Sequence, residues 1–216
     1  MTHYFIPLLT LTHSYRELHT MIESIDITTD TIEKMYKLAE VPLLLSSHRN
    51  LWESFGWKYE SSVGDEFGFK VDVPGGFPLS VDPLGQEIVS TSLPFCYWEG
   101  FFDNSHSDIE EFEKEKLQYD TSFDNSLELA KSVLGNPKCD WRDDDMDHHR
   151  AAIWHTDESV FVIQQACFDP QFGIELNIWI QAFDNNGFSP TSPLIDYLSN
   201  YSAERHSKLG FPALLW

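Results

Sequence analysis

The chain has little cysteine, little positive charge and no long hydrophobic run. Its three cysteines, Cys96, Cys139 and Cys167, lie far apart. No Cys-x-x-Cys spacing occurs, which excludes a zinc knuckle, and an odd count does not make a disulfide framework. Reduced thiols in a cytosolic protein account for them most simply. No apolar stretch approaches the roughly 20 residues of a membrane-spanning helix. The opening Met1-Thr2-His3-Tyr4-Phe5-Ile6-Pro7 has no cationic segment, and Pro7 breaks its short apolar run, so it does not read as a secretory signal. These absences predict a cytoplasmic protein with no membrane partner.

Catalytic signatures are missing too. The sequence contains no Gly-x-Ser-x-Gly elbow, no P-loop, no dinucleotide fingerprint and no His-Glu-x-x-His pair. Gly64-Asp65-Glu66-Phe67-Gly68 leads into a strand pattern, so it does not place a phosphate at a helix N-terminus. Cys167 and His155 fall on neighbouring strand candidates, where a small buried thiol is the ordinary occupant. The histidines His3, His13, His19, His48, His106 and His206 are scattered and read as surface residues. No catalytic residue, metal ligand or cofactor is assigned on this basis.

What the chain does have is negative charge. Against 14 Lys+Arg stand 35 Asp+Glu, a formal net charge of −21 with a pI near 4.5. Such a surface repels nucleic acid and anionic membrane and speeds encounter with cations. Hydrophobic residues make up 42% and aromatics 14% of the 216 residues, enough for a packed core rather than a disordered acidic tail.

The periodicities predict an α+β fold in one compact unit over 1–216, with a possible subdivision near 103–122. N-terminal helices come first. One is expected from Ser14, with Tyr15, Leu18, Ile22 and Ile25 at helical spacing, and another from Asp30, with Glu33 as its capping partner. The second carries Ile32, Met35, Tyr36 and Ala39 inward and stops before Pro42. A short third helix holds Leu51, Trp52 and Phe55 and ends at Gly56. Central irregular strands follow: Phe67, Phe69, Val71 and Val73 alternate with polar residues, and Pro74-Gly75-Gly76 forces a turn. Pro78, Pro83 and Gly85 suggest loop, and a strand is expected at 95–102. A C-terminal helix is expected from Phe123, with Leu127, Ala130 and Leu134 on its stripe and a stop at Gly135 and Pro137. A three-stranded antiparallel meander completes the pattern at 150–155, 159–168 and 174–183, with the helix covering one face. A last helix over 194–201 and an apolar tail are expected to dock on the body.

Two segments concentrate acid among aromatics. From Glu99 to Asp124 nine carboxylates face Lys114 and Lys116, with Trp98, Phe101, Phe102 and Phe112 interleaved. Asp140-Trp141-Arg142-Asp143-Asp144-Asp145-Met146-Asp147-His148-His149 is the second, read as a solvated loop. Acid mixed with aromatics suits an interface with a cationic protein, where opposite charge steers encounter and rings supply buried area. The candidate partner-binding residues are therefore Trp98, Glu99, Asp103, Asp108, Glu110 and Glu111 in the first segment, with Trp141, Asp143, Asp144, Asp145 and Asp147 in the second. A metal reading would use Asp145, Asp147 and His149, although their spacing fits no established loop. Gln164, Gln165, Glu175, Asn177 and Gln181 place further polar groups on strands, where they read as an exposed face.

The C-terminal third also has a recognisable order. Phe123…Leu134-Gly135-Asn136-Pro137, then His149-Arg150-Ala151-Ala152-Ile153-Trp154, Gln164-Gln165 and Asp169-Pro170-Gln171-Phe172-Gly173-Ile174-Glu175-Leu176-Asn177-Ile178-Trp179 resemble immunity proteins of bacterial polymorphic toxin systems. The resemblance lies in helix–strand–turn–strand order over roughly the last 60 to 80 residues. It implies an antitoxin-type protein that neutralises a cognate basic toxin by stoichiometric binding and occlusion, and it carries over no active-site residue. Two alternatives remain at this point: a nucleic-acid-mimicking inhibitor, and a metal-dependent enzyme built on Asp143 to His149.

Overall fold

The structure, a computed structural model, describes residues 22–59, 68–98, 109–142, 150–166 and 173–182. Helices and a mostly antiparallel sheet make it α+β. The described elements are β1 (Ile22–Ser24), α1 (Thr29–Ala39), α2 (Leu45–Phe55), β2 (Lys58–Tyr59), β3 (Phe69–Asp72), β4 (Leu79–Leu84), β5 (Glu87–Trp98), α3 (Ile109–Leu134), β6 (Cys139–Arg142), β7 (Arg150–His155), β8 (Val160–Ala166) and β9 (Ile174–Gln181).

All the described strands join one sheet in the order β2-β3-β4-β5-β9-β8-β7-β6, with β1 also on β5. The meander expected from alternation is there: β7, β8 and β9 pair antiparallel, with Ile163 between Ala152 and Ile178. Because side chains alternate across a strand, the register sorts them into two faces. Leu93, Cys96, Ala152, Trp154, Phe161, Ile163, Leu176, Ile178 and Ile180 lie on the first, in one core cluster with α1, α2 and α3. Ala151, Ile153, Val160 and Val162 lie on the second and form a separate buried cluster.

Local signals explain the helices well. Thr28 caps α1, its Oγ1 accepting from the Thr31 amide at 3.1 Å, so the cap stands two residues before the expected Asp30. Ile32, Met35 and Ala39 are buried as expected, and Tyr36 is half-buried against Phe161. α2 ends at Gly56 with φ 74°, a left-handed cap that glycine takes without a Cβ clash. α3 buries Phe123, Leu127 and Ala130, but it begins at Ile109, more than a dozen residues before the apolar stripe.

Four expectations are corrected. Ile22 and Ile25 do not continue a helix: Ile22–Ser24 pair with Trp98–Cys96, and the Ile25 amide donates to the Phe95 carbonyl at 2.8 Å. Sheet pairing at a distant edge overrides a weak local helical period. The stretch around Pro83 is strand, not loop, because the β4–β5 register shifts between Asp82 and Pro83 and so accommodates a residue with no amide donor. Cys139–Arg142 form edge strand β6 on β7 rather than the start of a solvated loop. His48 is fully buried rather than at the surface. The predicted helix from Ser14 before Ile22, the 99–102 strand end, the 194–201 helix and the apolar tail lie outside the described residues. No described helix is long and apolar enough to cross a membrane.

Candidate functional site

α3 has two unlike surfaces. Its inner side is fixed by aromatic packing and one buried cation. The Trp98 ring lies 5.2 Å from Phe112 and 5.6 Å from Tyr119, and its indole N–H donates to Glu115 Oε2 at 3.0 Å. Arg150 enters from β7, donating to Gln165 Oε1 at 3.0 Å, pairing with Asp120 and lying 4.4 Å over the Phe123 ring. Every polar contact of that guanidinium is internal, so it ties α3 to the sheet.

The outer side is open to solvent. Ile109, Glu113, Leu117, Thr121, Asp124 and Glu128 succeed one another at three- or four-residue spacing and all are exposed. Ile109 is 77% and Leu117 67% accessible, two turns apart on this side with Glu113 between them. Glu110 and Glu111, also exposed, sit in the first turn, where the helix dipole favours acid.

The expected partner-binding residues therefore divide. Glu110 and Glu111 are on the acidic outer surface of α3. Trp98 is 1% accessible and belongs to the core, so it is not an anchor for a partner: its ring is spent on Phe112 and Tyr119. The backbone of Trp141 pairs opposite Ala151 in the edge strand β6. Glu99, Asp103, Asp108, Asp143, Asp144, Asp145 and Asp147 lie outside the described residues, as does His149. Among the described residues no group of three or more His, Cys, Asp or Glu is placed to hold a metal. Ile109 and Leu117 were not singled out in the sequence, because no local pattern marks an apolar residue of a helix as outward-facing, and only the helix's orientation shows them exposed.

The polar residues on the strands form a second feature. Gln165 is on the first face with Arg150, whereas Gln164, Glu175, Asn177 and Gln181 share the second. That face is not exposed: Asn177 is 0%, Gln181 1% and Gln164 5% accessible. Asn177 Nδ2 donates to Glu175 Oε1 at 2.6 Å, and Tyr97 from β5 also bonds this carboxylate. Burial raises the Glu175 pKa, against the pull of Asn177, Tyr97 and Lys70. Gln164 Nε2, Asn177 Oδ1 and both amide atoms of Gln181 have no hydrogen-bond partner among the described residues. Each such group costs about 1–3 kcal/mol when left unsatisfied. The thiol of Cys96, on the first face, is pushed up to about 12 by burial, which makes it unreactive at neutral pH.

No family model, no curated protein and no solved structure matches this chain.

Proposed function

We propose that the protein is an immunity or antitoxin-type inhibitor that binds a cognate basic toxin and occludes it stoichiometrically. The outer surface of α3 carries this reading. It offers two exposed apolar side chains, Ile109 and Leu117, within a frame of Glu110, Glu111, Glu113 and Asp124. Acid alone would serve solubility, and apolar exposure alone would invite self-association. Together they suit a cationic partner with an apolar centre, where charge sets the association rate and the apolar contact sets the lifetime. The formal charge of −21 extends the attraction beyond the contact.

Co-expression with a toxin encoded beside this chain is the direct test. A one-to-one complex and protection of the host are expected; absence of both sinks the reading. The site is tested separately by changing Glu110, Glu111 and Glu113 to Gln and Asp124 to Asn. The association rate is expected to fall about tenfold at low ionic strength while dissociation changes little. Stability is expected to fall by about 1 kcal/mol, because Glu110 and Glu111 in the first turn are favoured by the helix dipole, so the folded fraction is checked by circular dichroism alongside the rate. An unchanged association rate would leave the acidity of α3 as a solubility device.

A further inference from the structure

α3 meets the body through a pattern that repeats every four residues. Its buried side chains are Tyr119, Phe123 and Leu127 along one line and Ser126 and Ala130 along the next. A helix rises about 5.4 Å per turn, so sliding α3 by one turn brings each residue near the place of the one four positions away. Slid one way, Phe123 takes the place of Tyr119 and Leu127 that of Phe123. Slid the other way, Tyr119 takes the place of Phe123 and Phe123 that of Leu127. Either slide exchanges apolar for apolar at these places, so burial separates the registers only where Lys131 or Glu115 would enter at the end of the line. Residues 109–118 add one inward apolar side chain, Phe112, half-buried against Trp98.

Arg150 reads the pattern from the sheet. It is the first residue of β7 and 8% accessible. Its guanidinium donates to Gln165 Oε1 on β8 at 3.0 Å, lies 4.4 Å over the Phe123 ring and pairs with Asp120 Oδ1. The other Asp120 oxygen accepts from Lys116 Nζ at 2.9 Å. In one slid register Lys116 would stand where Asp120 does, and two cations would face each other across a largely buried contact. In the other, Asp124 would meet Arg150, but Leu127 would replace the ring beneath it and forfeit the cation–π contact. Trp98 adds a second check, its indole N–H donating to Glu115 Oε2 at 3.0 Å. A buried ion pair adds little net stability, because desolvating both charges offsets their attraction. It does disfavour arrangements that leave a charge unmatched.

We propose that Arg150 is a positioning residue for the partner surface: through Asp120 it sets the register of α3 on the sheet, and with it where Ile109, Glu113 and Leu117 stand. The proposal rests on the reading of α3 as that surface given above, and it assigns Arg150 no contact with the partner.

The test replaces the whole buried set in the full chain, with Asp120→Leu, Arg150→Met and Gln165→Leu together, and follows α3 by NMR and hydrogen exchange. The urea midpoint is expected to stay at or above that of the parent, as replacing a buried ion pair by apolar residues commonly gives. The amides of 112–120 are expected to show split resonances and to exchange about tenfold faster, while those of β9 keep their protection. A single sharp set of α3 resonances with parent-like exchange overturns the proposal. Faster exchange spread evenly over α3 and β9, with a lower midpoint, also overturns it, since that marks a pair that only stabilises.

Arg150→Lys covers the case in which the triple variant does not fold. Lysine keeps the charge but cannot bond Asp120 and Gln165 while lying flat on Phe123. It should speed exchange in α3 and not in β9, and unchanged exchange in α3 overturns the proposal as well. Register is measured without the partner, so the two readings fail separately. A loosened α3 in the variants, with no toxin complex from the parent, keeps the role of Arg150 in setting register and refutes the proposed function. A parent that binds a toxin, with variants whose α3 is unchanged, keeps that function and refutes the role of Arg150.

Discussion

The two faces of the sheet are built from the same strands, yet they differ in how their burial is satisfied. On the first, Phe161, Ile163, Leu176, Ile178 and Ile180 meet apolar residues of α1 and α3, and the buried Arg150 has Asp120, Gln165 and the Phe123 ring. On the second, Ala151, Ile153, Val160 and Val162 adjoin a row of amides, several of whose polar atoms have no partner among the described residues. Area removed from water stabilises the first with little offset, at about 25 cal/mol per Å² of apolar surface. The second gains the same apolar term and loses part of it to unmatched amides and a buried carboxyl. Two buried faces of one sheet can therefore contribute very different amounts to stability.

The sharpest way to break the contrast is to open the first face. Phe161→Ala removes a fully buried ring that makes edge contacts with Tyr36 and Trp154, each at a centroid distance of 5.7 Å. A loss of about 3–5 kcal/mol is expected, read as a lower midpoint in urea unfolding. Val162→Ala on the second face should cost about 1–2 kcal/mol, a smaller group in a less well satisfied setting. If the two cost the same per methylene removed, the contrast between the faces is wrong.

Acid should act on the helix side next. His48 in α2 is fully buried beside Trp52, neither ring nitrogen has a hydrogen-bond partner among the described residues, and burial lowers its pKa from 6.5 to about 4. The folded state therefore favours the neutral ring. Above pH 6.5 both states are neutral and the stability is fully present; as pH falls from 6.5 toward 4 the unfolded chain takes up the proton first and stability is lost. The full swing is about 3 kcal/mol. His48→Leu should flatten this part of the pH–stability curve, and an unchanged slope in that variant would show that His48 does not cause it.

The smallest effect has the opposite sign and belongs to the second face. The raised pKa of Glu175, caused first by burial, means that the folded state binds its proton more tightly than the unfolded chain does. Its penalty is present at neutral pH and is relieved as pH falls through the raised value toward the ordinary 4.5. Glu175→Gln keeps an oxygen for Asn177 and removes the charge, so it should raise stability at pH 7 and leave it nearly unchanged at pH 4. Equal effects at both pH values in thermal unfolding would mean that the carboxylate is better solvated than its burial implies.

Much of this architecture was legible, and the failures share a cause. Gly56 and Gly135 end their helices through backbone chemistry within a few residues, and alternation over 150–181 marked the meander. The candidate site was legible as a charge bias over Glu99–Asp124, but not as a surface. Trp98 and Ile109 are both apolar and border the same acidic run, yet one is 1% and the other 77% accessible. Nothing within a few residues of either distinguishes them; the distinction comes from Phe112, Tyr119 and Glu115 closing over Trp98 from α3.

The sequence by itself determined the elements whose signals are local: the caps, the glycine turns, the apolar stripe of α3, the strand alternation and the charge. Tertiary structure alone decided which residues those signals serve. It drew Ile22–Ser24 into the sheet, carried β4 through Pro83, buried His48 and the amides of β8 and β9, and turned Leu117 outward. The physical reason is range. Backbone conformation answers to neighbours along the chain, whereas burial and edge pairing depend on groups tens of residues away, whose positions no local pattern records.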